Sequence, residues 1–254
     1  MHSHRQEVKD METTGRYINN IHTLLDTVLD TQSDAIRQAV TAVADTLSQG
    51  GMVYAFGTGH SHMLAEELFY RAGGLVKVYP ILDEALMLHN NASRSSQIER
   101  LSGYAATLLD NGIVPTERDT IFIFSNSGRN AVPVEMALEM KQRNVRTICI
   151  TNLAQSSAAA SRHSSGLRLF ELCDIVIDNC GAVGDASMDI GAHRCAPTST
   201  VIGAAILQAI VCGVVETLQE RGIDPEVFCS SNVDGGDAIN HRFIEQYRRD
   251  IPML

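Results

Sequence analysis

The stretch "TIFIFSNSGRN", residues 120–130, runs from five residues of a buried strand straight into two serines, two asparagines, a glycine and an arginine. A near-continuous apolar run without polar alternation fits a strand covered on both faces, as in a parallel sheet. The polar half leads into a helix-forming segment, 131–142. Hydroxyls and backbone N–H groups at the start of a helix, beyond the end of a strand, are suited to hold an anion.

The same design recurs outward in both directions. "MVYAF" (52–56), "LVKVY" (75–79), "RTICI" (146–150) and "CDIVID" (173–178) read as further strands, with helices expected over about 62–72, 97–109 and 131–142. This alternation predicts an α/β fold, a three-layer sandwich with a five-stranded parallel sheet in flavodoxin-like order, whose ligands lie beyond the carboxyl ends of the strands. Apolar residues from Ile18 to Leu29 and from Ile36 to Leu47 recur at helical spacing and predict two N-terminal helices, stopped by Gly50-Gly51. A long helix is expected over 198–221, a short helical turn at "DPEVF" (224–228) and a terminal helix from Gly236. The serine-rich segment 156–166 reads as a long loop inside the domain, being too poor in Gly and Pro for a linker.

The 254 residues are 44% hydrophobic and 20% charged, with a formal net charge of −10. Such a surface repels polyphosphate backbones and argues against nucleic acid as a partner, but not against one small phosphate. Six cysteines without a CxxC pair read as reduced thiols of a cytoplasmic protein. The longest apolar run, Val201 to Val215, is interrupted by Gln208 and reads as too short to span a bilayer; no signal peptide is recognised and no membrane partner is expected. His2 and His4 receive no role.

The first strand ends in "GTGHSH" (57–62), a second small, hydroxyl-bearing turn. Gly57 and Gly59 allow close approach of the main chain, and Ser61 on this turn can share one phosphate with Ser125, Ser127 and Asn130 on the other. A dinucleotide fingerprint is not completed, because His62 stands where G-x-G-x-x-G needs its last glycine and Asp83 lies beyond the end of the second strand. His60 and His62 lack an identifiable third ligand, so no metal and no other cofactor is expected. Arg71 and Arg129 suit either a phosphate or surface acids, His193 stands just before the long helix, and Asn232 lies in a turn-rich stretch.

In "FSNSGRN" and "FGTGHS" the chain resembles the sugar isomerase (SIS) domains, and "APTSTVIGAAILQAIVCGVVETLQERGIDPEVF" is similar to the closing helix of the arabinose-5-phosphate isomerase branch. The resemblance spans about residues 33–250 and implies an N-terminal extension over 1–32, a phosphosugar-binding domain over 33–254, and a homodimer or dimer of dimers that completes the site; the apolar surface of the N-terminal helices suits them to that interface. It implies a phosphate held by Gly59, Ser61, Ser125, Ser127, Gly128 and Asn130, the last in place of the usual threonine, with Ser199, Thr200 and His193 around the sugar. Arg71 departs from the phosphoheptose isomerase and N-acetylmuramic acid 6-phosphate etherase branches, which carry glutamate there. "DEALMLH" (83–89) resembles instead the Glu-Ala followed by His of the arabinose-5-phosphate branch, making Glu84 and His89 the catalytic candidates, with Glu66, Glu67 and Glu99 as alternative acids. The function expected is aldose–ketose isomerisation of a sugar phosphate, the alternatives being a related etherase or lyase and a non-catalytic phosphosugar sensor.

Overall fold

The computed structural model describes residues 13–109 and 112–254; the opening histidines lie outside them. Where the sequence predicts two N-terminal helices, one helix, α1, runs unbroken over Thr13–Ser48. The segment between the two apolar stripes, "DTQSD" (30–34), has neither Gly nor Pro. Its polar character is absorbed by the helix itself: Thr31 donates to the Thr27 carbonyl at 2.8 Å and Ser33 to the Leu29 carbonyl, as Thr23 and Thr27 do to the carbonyls four residues back just before it. The stop comes at Gly50, whose φ of 78° continues no right-handed helix.

Five parallel strands follow in the order β2-β1-β3-β4-β5: β1 (Val53–Gly57), β2 (Val78–Ile81), β3 (Thr120–Phe124), β4 (Arg146–Thr151) and β5 (Ile175–Asp178). Successive strand residues alternate between two cores. Val53, Ala55, Phe122, Phe124, Ile148 and Ile150 face α1, α2 (His62–Leu68) and α7 (Ser199–Glu220). Tyr54, Phe56, Ile121, Ile123 and Cys149 face the layer of α3 (Leu88–Ile98), α4 (Tyr104–Leu109) and α5 (Ala131–Gln142). Both faces are therefore covered, which is why the strands carry no polar alternation.

α7 and α1 lie close together, and a side chain at Gly213 would collide with Val40. By length and apolarity the 22 residues of α7 suffice to cross a membrane, more than the apolar run suggests, but Ile202, Ile206, Leu207, Ile210, Val214 and Leu218 are buried in the α1-side core. α7 is a core helix of the fold.

Local expectations change, and the helix expected over 97–109 is broken at 99–103, between the end of α3 and α4. "DPEVF" is extended instead of helical: Val227 bridges Leu75, and Phe228 exchanges backbone hydrogen bonds of 2.8 and 3.0 Å with Gly73 and Gly74. This seats Phe228 against Val76 and Phe243 of α8 (Gly236–Tyr247). The serine-rich segment begins as a short helix, α6 (Leu153–Ala158), before its loop. Residues 186–197 form an antiparallel hairpin, β6 (Ala186–Ile190) with β7 (His193–Pro197), that polar and exposed residues concealed from sequence reading.

Candidate functional site

Because β1 pairs with β3, with Gly57 opposite Phe124, the two hydroxyl-bearing turns are neighbours. Gly57 has no space for a side chain, since a Cβ would strike the Ser61 and His62 backbone. At Gly128 a Cβ would lie 2.5 Å from Ser156 Oγ, and the φ of 57° is one that side chains rarely adopt. Within the second turn Gly128 N–H donates to Ser125 Oγ at 3.1 Å, fixing the turn from inside, while Ser127 is half-buried. Gly59 also has a positive φ, 58°, and His62 Nδ1 bonds to its carbonyl.

A carboxylate bridges the turns. Glu99, just past the end of α3, accepts from Thr58 Oγ1 of the first turn at 2.8 Å and from Asn130 Nδ2 of the second at 2.6 Å. Its own carbonyl takes Val132 N–H, in the first turn of α5, at 3.1 Å. Burial raises the Glu99 pKa above the ordinary 4.5, and the Thr58 hydrogen bond and the charges of Arg100 and Arg162 oppose the shift without cancelling it. Asn130, read from the sequence as a phosphate ligand, has its side chain committed to Glu99 and to Arg162, whose Nη1 donates to Oδ1 at 2.8 Å. Nothing in the sequence marked Glu99 above other helix acids; only the meeting of strand ends makes it a bridge.

On the α7 side, Ser61, Ser199 and Thr200 line one narrow recess with Asn126 and Asn179. Here the amides form a chain across three strand ends: Asn179 Nδ2 donates to Asn126 Oδ1 at 2.7 Å, and Asn152 Nδ2 to Asn179 Oδ1 at 3.1 Å. Asp185, immediately before the hairpin, closes the start of α7. Its carboxylate accepts Thr198 N–H at 3.0 Å, Ser199 N–H at 2.8 Å and Ser199 Oγ at 2.7 Å. The hydroxyls of Ser156 and Thr198 are buried without a hydrogen-bond partner. His193 is exposed at the hairpin tip, the end remote from α7, and does not join this recess.

Glu84 and His89 lie beyond β2, the strand beside β1, and both are exposed. The chain between them is irregular: a single 3-10 turn, Glu84–Leu86, with Asp83 accepting Ala85 N–H at 3.0 Å, then extended Met87 before α3. The His89 ring centre is 6.3 Å from that of His62, which brings this segment over the first turn. Arg71 pairs with Glu67, whose other oxygen accepts from Gln208 at 2.9 Å; both are engaged structurally. Glu66 stands 3.7 Å from His62 Nε2, His60 is exposed, and Asn232 lies in an exposed turn. Among the described residues no group of three His, Cys, Asp or Glu is disposed to hold a metal ion.

The profile of the SIS domain matches residues 16–152. A UPF0309 protein of Geobacillus thermodenitrificans is 44% identical over 244 residues, covering 94% of this chain and 96% of the relative. A UPF0309 protein of Listeria monocytogenes serotype 4b is 43% identical over 241 residues, with 94% and 97% covered. Among solved structures, phosphoheptose isomerase GmhA from Neisseria gonorrhoeae superposes with a TM-score of 0.53 at 12% identity, covering 80% of this chain and 97% of that one. The sugar isomerase domain of an RpiR transcription factor from Sphaerobacter thermophilus gives 0.51 at 17% identity, over 92% and 99%. These two likenesses concern the fold.

Proposed function

Because the chain belongs to the SIS-domain family, we propose that it binds a sugar phosphate across the joined ends of β1 and β3 and isomerises it between aldose and ketose. The observation that carries this reading is the Glu99 bridge, which ties Thr58 of one turn to Asn130 of the other and so fixes two donor-rich turns as one unit. Ser61, Ser127, the hydroxyl of Ser125 and the backbone of Gly59 surround the phosphate, with the start of α5 behind it, while Gly128, whose N–H is taken by Ser125, shapes the turn. Ser199 and Thr200, beside the asparagine chain, face the sugar hydroxyls.

Isomerisation moves a hydrogen from the hydroxyl-bearing carbon to the neighbouring carbonyl carbon through an enediolate, while the hydroxyl proton passes to the former carbonyl oxygen. Glu84 takes the proton from the carbon beside the carbonyl and returns it to the former carbonyl carbon, and His89 assists ring opening. Both are exposed in a single chain, and Ile18, Leu29 and Val201 leave apolar surface uncovered on α1 and α7. A homodimer that covers these residues and encloses Glu84 would supply the burial a carboxylate base requires. Sedimentation at the monomer mass of 27.6 kDa at micromolar concentration would remove the shared site.

A second reading rests on Glu99. A carboxyl group with a raised pKa beside the phosphate turns is suited to donate a proton to a leaving group, which is the demand of an elimination. Turnover of a panel of hexose, heptose, pentose and N-acetylated sugar phosphates by wild type, Glu84→Gln and Glu99→Gln separates these readings. Isomer formation reduced at least about a hundredfold in Glu84→Gln, with binding intact, supports isomerisation. Release of an alcohol or acid product, abolished in Glu99→Gln, supports elimination. A sugar phosphate that binds and is never turned over makes the protein a sensor.

A further inference from the structure

Three arginines converge beside the second turn from three parts of the chain. Arg129 belongs to the turn itself, Arg100 follows the bridging Glu99, and Arg162 comes from the serine-rich loop, which folds back so that its N–H donates to the Arg129 carbonyl at 2.8 Å. Arg162 also donates to Asn130 Oδ1 at 2.8 Å, which places its guanidinium at the edge of the turn. The protein carries 30 acidic residues against 20 basic ones, so partners for surface arginines are abundant. Among the described residues none of these three forms an ion pair with a carboxylate; the exposed Arg94, Arg118, Arg242 and Arg249 form none either, whereas Arg37, Arg71, Arg143, Arg168, Arg221 and Arg248 do, so what distinguishes Arg100, Arg129 and Arg162 is that they meet at one turn. Arg129 Nε is moreover buried without any hydrogen-bond partner.

The three are close enough to act on one another. Arg162 is held below the usual arginine range, first by lost solvation and then by the charges of Arg100 and Arg129, with Glu99 opposing. Glu99 is a poor counter-charge for all three, since burial favours its neutral form and its oxygens already accept from Thr58 and Asn130. Arg100 and Arg162 are exposed and solvated, but the buried Arg129 Nε without a partner is costly to keep unless an acceptor is received there, and three like charges at one turn favour an anion.

We propose that Arg100, Arg129 and Arg162 form a second anion subsite beside the phosphate turns, and that the ligand is a sugar phosphate carrying a second negative group, a carboxylate or a second phosphate. This rests on the phosphosugar reading above and narrows its substrate class. The arginines read the second group, while the serines read the first.

Titration calorimetry at fixed ionic strength tests it with 6-phosphogluconate and fructose 1,6-bisphosphate as doubly anionic probes, and glucose 6-phosphate and fructose 6-phosphate as their singly phosphorylated counterparts. Wild type is expected to bind at least one doubly anionic probe about tenfold or more tighter than its counterpart, and the choice between the two probes identifies the second group as carboxylate or phosphate. Arg162→Gln and Arg100→Gln, both at exposed positions, should erase that ratio and leave the singly phosphorylated sugars bound as before. Ser127→Ala should weaken both classes together. Equal affinity for the two classes in wild type, or arginine variants that weaken both classes equally, overturns the second subsite; the arginines would then serve the one phosphate. Failure to bind either doubly anionic probe overturns it as well. Undiminished binding in Ser127→Ala instead overturns the phosphate site itself, whatever the arginine variants do.

Discussion

Two long helices, α5 and α7, begin at the same end of the sheet, and the fold treats their N-termini differently. The start of α7 is closed by the protein's own charge, with Asp185 accepting from two backbone N–H groups and from Ser199 Oγ. The start of α5 receives no charged cap: Asn130 makes no capping hydrogen bond, its side chain being turned to Glu99 and Arg162, and Val132 N–H goes to a neutral carbonyl. Both termini carry the same partial positive charge. The lesson is that a serine before a helix does not by itself mark a ligand site. At α7 the helix start is met by the protein's own carboxylate, and the phosphate proposed above falls at α5.

The largest effect expected from this contrast is on stability at α7. Asp185→Ala removes a charged acceptor of three hydrogen bonds and should cost about 2 to 3 kcal/mol in urea denaturation. A variant as stable as wild type would show that the α7 terminus does not depend on its internal carboxylate and would dissolve the comparison.

At α5 the expected effect is on binding. Ser127→Ala should leave the denaturation midpoint unchanged and weaken a bound sugar phosphate by about 1 to 3 kcal/mol, the range for a hydrogen bond to a charged group. Calorimetry that instead finds Asp185→Ala to be the variant with weakened phosphate binding, and Ser127→Ala unaffected, would reverse the roles of the two termini.

The smallest effect is a change in pH dependence. Glu99 is raised in the folded state, so the stability associated with its protonated form is fully present below the ordinary 4.5 and is lost as pH rises through its folded value. Glu99→Gln, which cannot ionise, should therefore lack that decline, and its stability relative to wild type should increase with pH across this window. Parallel stability curves for the two proteins would show that Glu99 ionises in the folded chain as it does in the unfolded one.

The strand–turn–helix alternation, the covered parallel sheet and the extent of α5 were legible in the sequence because each rests on a local pattern: an apolar run, a small polar turn, a helical period. The long N-terminal helix was misread because a polar stretch resembles a break until its hydroxyls, Thr31 and Ser33, are seen to bond within the helix. "DPEVF" was misread because turn-like composition does not reveal pairing with Leu75, some 150 residues away. Ser61, Ser125 and Ser127 stood out as strand-end residues, but that their turns adjoin followed only from the pairing of β1 with β3. That Glu99 joins those turns, that Asp185 closes α7, that Asn130 is turned away into a side-chain network and that three arginines from distant segments meet beside it were decided by tertiary structure alone. The physical reason is that hydrogen bonds and charges act across a few ångströms of space, whereas the sequence orders the groups that make them only along the chain.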